Sequence, residues 1–201
     1  MLSSATALWY ASRATGVVAL ILLSIVVVLG ILVNRRALAP GRAGLTIAGL
    51  HRFLSLLAVT FVAAHVLTAV LDSYVSISPA AAVIPLASSY EPFWLGLGAV
   101  SLDLMAAVIV TSLLRRFLGR RTWRAVHWLA YISWPVAVAH SVGSSRDLQG
   151  GWLLGLAAGC CLAVATAAAL RARAARAALP RSGRVPEALR RQRELTAAGR
   201  R

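Results

Sequence analysis

The sequence contains no lysine, only six acidic residues and only two cysteines among its 201 residues. Charged residues make up 13% of the chain, about half of what a soluble domain of this size carries, and hydrophobic residues make up 59%. This balance excludes a soluble globular fold and predicts an integral membrane protein. Cys160 and Cys161 are adjacent in an apolar run. They therefore predict neither a disulfide framework, nor a zinc site, nor covalent haem attachment.

Five apolar runs approach the length of about 20 residues that a helix needs to cross a bilayer. They predict an all-α, five-span transmembrane bundle over residues 1–170, with spans at 14–33, 50–71, 93–114, 123–142 and 152–170. The first run is longer than the core of a cleaved signal peptide, and no basic region precedes it. We therefore expect it to remain in the protein as the first span.

The connections between these runs carry turn-forming residues. Asn34–Gly49 is predicted as a loop because it contains a Pro-Gly pair and a further glycine. Ala80–Leu86 is apolar but too short to span, so we expect it at the membrane interface. Residues 171–201 are basic, alanine-rich and interrupted by two prolines. They are predicted to form a basic cytoplasmic tail, disordered beyond any continuation of the fifth helix.

All 21 basic residues are arginines, and their distribution predicts the orientation. Nineteen lie in the first loop, the third-to-fourth connection and the tail, which share one side if there are five spans. Only Arg13 and Arg146 lie on the other side. The positive-inside rule then places the N-terminus outside and the C-terminus in the cytoplasm of a bacterial cell membrane. The charge also suits anionic lipid, and no nucleic-acid partner is predicted because the tail has no aromatic residue for base stacking.

All four histidines lie in the second and fourth predicted spans. His51 and His65 are fourteen residues apart, which leaves about 40° between them around a helix and roughly 21 Å along it. His127 and His140 are thirteen apart, or about 140° on an ideal helix. Pro135 lies between them, so a kink or a local change of winding is predicted. Because the two spans run in the same direction, each contributes one histidine to an inner level and one to an outer level.

Such a constellation is the ligand set for two bis-histidine haems, since a neutral imidazole can donate to the iron from each side of a porphyrin. With both axial positions filled, the chemistry is one-electron transfer. Ionisable side chains inside a membrane are costly and usually functional. The alternative is a haem-free transport or assembly subunit whose histidines only cross-link helices.

The histidine spacing, H-x13-H in one span and H-x12-H in the next but one, resembles the ferric reductase-like transmembrane domain family. That family includes ferric reductases, NADPH oxidases and the membrane subunit of a bacterial methionine sulfoxide reductase. The stretches WYASRATG, HRFLSLLAVTFVAAHV and RAVHWLAYISWPVAVAH look like its stand-alone actinobacterial members, and the resemblance covers about Trp9–Leu170. It implies that His51 and His127 are axial ligands of one haem b iron, and His65 and His140 of the other.

The resemblance implies the haem-binding membrane subunit of an oxidoreductase, which passes electrons from a separate donor to an acceptor on the other side. Acceptors in such systems include ferric chelates, an outward-facing flavin or molybdenum protein, and oxygen. The reductase enzymes carry a flavin and nicotinamide domain, whereas here some thirty residues follow the last span and no G-x-G-x-x-G occurs. Flavin is therefore expected only on a partner flavoprotein. Membrane quinol is the other expected donor, and a quinone site would indicate a cytochrome b561-like quinol-oxidising module.

Several other residues are candidates for the site. Arg52 and Arg124, each within a turn of an inner-level histidine, are predicted either to pair with propionates of the inner haem or only to mark topology. Arg13 is the corresponding candidate for the outer haem. Asp103, about ten residues inside the third span, is predicted to be a buried carboxylate with a structural role or a role in proton relay. Two further sets are predicted to pack against haem or between helices: Trp128, Tyr131 and Trp134, and Gly96, Gly98, Gly155 and Gly159.

Overall fold

The computed structural model describes residues 4–33, 42–73, 75, 77–145 and 151–177. Within these ranges every regular element is a helix and no strand occurs. The helices in chain order are α1 (Ser4–Val33), α2 (Arg42–Leu71), α3 (Pro79–Val83), α4 (Pro92–Leu113), α5 (Arg120–His127), α6 (Leu129–Gly143) and α7 (Trp152–Ala177).

Four of these helices are long and apolar enough to cross a membrane. The segments are Thr6–Leu32, Leu45–Leu71, Pro92–Leu113 and Trp152–Ala177. They correspond to the first, second, third and fifth predicted spans, although α1 and α2 begin about ten residues earlier than expected. An all-helical, multi-pass membrane fold follows, because apolar helices of this length bury their own main-chain polar groups in lipid.

The predicted loop Asn34–Gly49 is wrong in its second half. α2 begins at Arg42, so Gly44 and Gly49 lie inside a helix. A glycine weakens a helix by about 1 kcal/mol but does not end it when its neighbours are apolar helix formers, as they are here. The first half of that prediction, residues 34–41, lies outside the described residues.

The fourth predicted span, 123–142, is not one uninterrupted helix, since Trp128 separates α5 from α6. Trp128 keeps right-handed helical angles (φ −65°, ψ −21°). The amide of Tyr131 donates to the Trp128 carbonyl only three residues back, at 3.0 Å, which is a tighter 3₁₀-type turn. Tyr131 is also the residue whose carbonyl the ring of Pro135 crowds from four residues ahead. The winding therefore changes between the two histidines of this segment.

Two antiparallel helix pairs form the bundle, α1 with α2 and α4 with α6, and α6 joins them by also packing on α1. The core between α1, α6 and α7 is apolar and comprises Val27, Val28, Ile31, Tyr131, Trp134, Val164 and Ala167. Many large apolar side chains of α2 face outwards, as lipid-facing residues do.

The segment between α2 and α4 contains the short helix α3, which is capped at its N-terminus. Ser78 accepts a hydrogen bond from the amide of Ala81 at 3.2 Å, which starts α3. A Cβ at Gly96 would lie 3.0 Å from the main-chain nitrogen of Leu86, so Gly96 permits close packing, but against the turn that follows α3 and not between two helices as predicted. Gly155 and Gly159 face open space in the part of the chain that the structure describes, and the predicted helix packing at these two residues is therefore wrong.

The chain divides into two compact units, Met1–Ala168 and Ala169–Arg201. Of the second unit, residues 169–177 form the end of α7. The predicted disordered tail falls largely on residues 178–201, which lie outside the described residues.

Two buried serines join α4 to α6. The Ser101 hydroxyl donates to the carbonyl of Ser133 at 3.1 Å, and the Ser133 hydroxyl donates to the carbonyl of Ser101 at 3.0 Å. The two hydroxyl oxygens are 3.2 Å apart. A reciprocal pair of this kind aligns the two helices at one register.

We expect Ser101→Ala and Ser133→Ala each to destabilise the protein in detergent by about 0.6–1.7 kcal/mol, the range of interhelical hydrogen bonds in membranes. Because the two hydroxyl oxygens are also in contact at 3.2 Å, and either substitution removes that contact, the double variant should lose less than the sum of the two. Unfolding monitored by circular dichroism measures this. Ser112→Ala, at an exposed position on α4, is the control. Fully additive losses at the two buried serines would show that they do not interact.

Candidate functional site

The structure brings the four histidines together in two pairs, each with one ring from α2 and one from the α5–α6 segment. The ring centroids of His51 and His127 are 6.5 Å apart, and those of His65 and His140 are 6.3 Å apart. Both pairs have an angle of 69° between their ring planes. The spacing along α2 separates the pairs by roughly 21 Å. The molecule therefore has two similar histidine levels.

Three of the four rings are held by a main-chain carbonyl of a neighbouring helix. The contacts are His51 Nδ1 with Val26 O at 3.1 Å, His65 Nδ1 with Ser12 O at 2.8 Å, and His140 Nδ1 with Trp94 O at 2.8 Å. A carbonyl only accepts, so Nδ1 donates in each case and Nε2 carries the free lone pair. This is the tautomer of a metal-ligating histidine whose other ring nitrogen is held by an outer hydrogen bond.

Each of these carbonyls is followed four residues later by a glycine, and we term each carbonyl with its glycine a socket. The sockets are Ser12 with Gly16, Val26 with Gly30, and Trp94 with Gly98. In a helix the Cβ leans towards the N-terminus, over the preceding turn, so a side chain at the glycine would point towards the imidazole. A Cβ at Gly16 would lie 2.9 Å from Nδ1 of His65, and one at Gly98 would lie 2.8 Å from Nδ1 of His140. At Gly30 the nearest imidazole atom is 3.4 Å away.

His127 is held differently. Within the described ranges its buried Nδ1 has no hydrogen-bond partner. The Trp123 ring instead stacks on the imidazole, with centroids 4.9 Å apart and planes at 25°. The guanidinium of Arg115 lies 4.5 Å above the centroid of the Trp123 ring. The ring is therefore oriented by aromatic stacking rather than by a socket.

The donor set of each level fits a haem iron. A metal–imidazole nitrogen bond is about 2.0–2.1 Å, and the ring centre lies about 1.1 Å beyond the nitrogen, so two imidazoles on opposite sides of one metal have centroids about 6.3 Å apart. The observed distances of 6.3 and 6.5 Å agree with this value. Among the described residues no three His, Cys, Asp or Glu side chains gather to hold an ion by themselves. Two protein ligands suit an iron whose other four ligands come from a porphyrin.

A cavity of about 780 Å³ adjoins the outer pair, and both His65 and His140 line it. Its volume falls within the range of about 300–1,000 Å³ that is usual for cofactor pockets. Arg13 and Asp72 also line it. Asp72 is only 5% exposed. The sequence did not single it out because it follows directly on an apolar run, at the start of a polar connection.

The predicted charged residues are placed unequally. Arg13 lines the outer cavity and lies over the Trp9 ring, 4.3 Å from its centroid. Arg52 and Arg124, which were predicted to serve the inner haem, are exposed. Their pairing with propionates stays a prediction. Asp103 is exposed on α4, so its prediction as a buried carboxylate is wrong, because it lies on the face of the helix that turns away from the bundle.

Between the two levels lies a hydrogen-bonded tryptophan. Trp134 Nε1 donates to the hydroxyl of Ser24 at 2.9 Å, and that hydroxyl donates to the carbonyl of Leu20 at 2.7 Å. Trp134 and Tyr131 pack into the α1 core, whereas Trp128 is exposed and packs on Tyr131 with ring centroids 5.0 Å apart.

The fold defines this protein as a helical, multi-pass membrane protein, and its two facing histidine pairs form the candidate site. Its sequence matches the family described as ferric reductase like transmembrane component over residues 15–138, and the chain belongs to that family. The matched region includes His51, His65 and His127 and ends two residues before His140. Comparison with curated proteins and with solved structures gives no significant match.

Family membership confirms the resemblance inferred from the histidine spacing. Membrane domains of this family generally bind haem, and membership indicates electron transfer across a membrane. The sockets and the Trp123 stack were not anticipated from the sequence. One signal was available: Gly16 and Gly30 are fourteen residues apart in α1, as are the two histidines of α2 that pack against them.

Proposed function

We propose that the chain carries electrons across the bacterial cytoplasmic membrane through two b-type haems, each bound by two histidines. His51 and His127 are the axial ligands at the inner level, and His65 and His140 at the outer level. The observation that carries the proposal is the matching pair of centroid distances, 6.5 and 6.3 Å, in a member of a haem-binding family. Bound there, haem supplies one-electron transfer with both axial positions filled.

The protein's own part is to fix the imidazoles before the haem binds. The sockets hold three rings in the tautomer that presents Nε2, and the Trp123 stack orients the fourth. The lining of the outer cavity is largely apolar, as is usual for a cofactor pocket, and would suit the apolar faces of a porphyrin. Arg13 supplies a positive charge at that cavity for an anionic propionate.

The proposal includes five spans. α6 has 15 residues and by itself covers only about 22 Å, less than the roughly 30 Å of a bilayer core. His127 and His140 pair with His51 and His65, which lie roughly 21 Å apart along α2, within its candidate span Leu45–Leu71. The α5–α6 segment therefore runs parallel to α2 over the same thickness, and α5 and α6 together form the fourth span.

With five spans, the arginine distribution favours an N-terminus outside and a C-terminus in the cytoplasm. The inner level then faces the cytoplasm. The donor is a separate flavoprotein or membrane quinol, and the acceptor lies on the other side. The chain is in this reading the haem-binding subunit of an oxidoreductase.

Electron transfer across a sealed membrane tests the function directly. Purified protein is reconstituted into liposomes with ferricyanide trapped inside, and dithionite is added outside. We expect the trapped ferricyanide to be reduced at least about tenfold faster than in protein-free liposomes, because the haems supply one-electron steps through the bilayer. His51→Ala and His65→Ala, each of which removes one level, should both return the rate to background.

Cys161→Ala is the matched control, since this exposed cysteine lies on α7 and touches neither histidine level. It should transfer electrons like the wild type. Wild-type protein that contains two haems but reduces trapped ferricyanide no faster than His65→Ala would contradict the proposed function.

A further inference from the structure

A column of stacked planar groups connects the inner histidine level to the protein surface. The Arg115 guanidinium lies 4.5 Å above the Trp123 ring, and that ring stacks on His127 at 4.9 Å. Arg115 is exposed, whereas Trp123 and His127 are partly buried. The column therefore runs from solvent to a proposed ligand of the inner haem. No equivalent stack on the other three histidines occurs among the residues that the structure describes.

Positive charge surrounds the surface end of this column. The basic turn (Arg115–Arg124) carries five exposed arginines, Arg115, Arg116, Arg120, Arg121 and Arg124. The sequence has no acidic residue between Asp103 and Asp147, so this charge is not neutralised locally along the chain. A uniformly basic surface attracts an acidic partner and raises its rate of encounter.

Apolar side chains lie beside the arginines. Phe117 is 70% exposed and Leu113 is 73% exposed, and the guanidinium of Arg116 lies 4.5 Å above the Phe117 ring. Protein interfaces commonly combine aromatic and arginine contacts at the centre with a charged rim. The surface around the column has this composition.

We propose that the basic turn is the docking surface for an acidic electron-transfer protein. Electrons then pass between this partner and the inner level through Trp123, whose ring lies between Arg115 and His127. The inference rests on the proposed function, since it takes His127 as a haem ligand. Each transfer moves one electron from the reduced partner to the oxidised inner site, and no bond forms or breaks. Anionic lipid would match the arginine charge but would leave the column without a use, because a lipid headgroup neither donates nor accepts electrons.

The test measures haem reduction by stopped flow in phosphatidylcholine nanodiscs, which lack anionic lipid. Photoreduced flavodoxin serves as an acidic protein donor, and photoreduced lumiflavin as a small uncharged one. We expect Arg116→Gln/Arg120→Gln/Arg121→Gln to lower the second-order rate with flavodoxin by about tenfold or more at low salt, and the difference to shrink at high salt. The rate with lumiflavin should stay within about twofold of the wild type because an uncharged donor is not steered.

The matched control removes the same number of charges elsewhere, in Arg171→Gln/Arg173→Gln/Arg176→Gln at the end of α7. It should react with flavodoxin like the wild type. An equal loss in this control would mean that net charge, not the basic turn, sets the rate, and would overturn the proposal.

Trp123→Leu tests the column. Because Trp123 also orients His127, the rates are expressed per bound inner haem. At saturating flavodoxin the limiting rate per bound haem should fall about tenfold, while the rate per bound haem with lumiflavin stays as in the wild type. A merely structural role would instead lower the haem count and leave the rate per bound haem with flavodoxin unchanged. Trp128→Leu is the control, since Trp128 packs on Tyr131 and not on a histidine. If Trp123→Leu loses the inner haem completely, Arg115→Gln takes its place in the test, because it removes the outer end of the column and keeps the Trp123 ring on His127. Its limiting rate with flavodoxin should then be lower than that of the wild type.

The outcomes separate the two proposals. Wild-type protein without haem would overturn both. Two haems per chain, with flavodoxin rates unchanged in every variant, would overturn the docking surface alone. The proposal would also be wrong if Arg116→Gln/Arg120→Gln/Arg121→Gln reacted with flavodoxin like the wild type but bound less phosphatidylglycerol. The basic turn would then be a lipid contact.

Discussion

Replacing His65 with alanine should leave one low-spin haem per chain instead of two. The outer iron then has only His140 as a protein ligand, whereas the inner pair is untouched roughly 21 Å away. His51→Ala should likewise leave one low-spin haem per chain, in this case the outer one. The low-spin haem count by electron paramagnetic resonance, together with the total by pyridine haemochrome, measures both variants.

Double variants test the pairing itself. His65→Ala/His140→Ala removes two ligands of the same level and should still hold one low-spin haem. His65→Ala/His51→Ala removes one ligand from each level and should hold none. Both double variants remove two histidines, so each is a control for the other. Equal haem counts in the two would contradict the pairing, since they would mean that the levels do not exist as separate sites.

The second large effect is expected at a socket. Gly98→Ala places a methyl group 2.8 Å from Nδ1 of His140, where the ring donates to the Trp94 carbonyl. The ring must move or lose that hydrogen bond. Loss of an outer hydrogen bond of this kind typically lowers metal affinity by about 10–100-fold. The outer haem should therefore be lost on dilution or gel filtration, while the inner haem stays bound.

Gly30→Ala is the matched control because the same methyl group there would lie 3.4 Å from the His51 ring, which is ordinary contact. This variant should keep both haems. The opposite pattern, with a haem lost from Gly30→Ala and both kept in Gly98→Ala, would mean that the glycines do not act by clearing space for the imidazoles.

The apolar runs were sufficient to predict most of the fold. The first, second, third and fifth spans each coincide with a long helix, because in lipid an apolar run of that length must form its own hydrogen bonds. Helix ends were less predictable, since α2 begins at Arg42 even though the turn-forming residues Gly44 and Gly49 predicted a loop there. The division of the fourth span at Trp128 depends on Pro135 and on the packing of α6, which hydropathy does not report.

The histidines could be identified from the sequence because their spacing places two rings on one face of α2. The groups that hold these rings could not be identified from the sequence. A socket consists of a main-chain carbonyl, which every residue has, and a glycine, which has many other uses. Asp103 is the opposite case. The sequence placed it correctly near the middle of α4, but the face of the helix on which it lies is set by tertiary packing, and that face is exposed.

The haem count of the purified protein tests directly whether the two histidine pairs bind haem. A pyridine haemochrome assay, combined with a dithionite-reduced minus oxidised spectrum of protein from haem-replete cells, should give two b-type haems per chain. Folded protein with no haem under those conditions would contradict the proposed function. The histidine pairs would then be contacts between helices and not haem ligands.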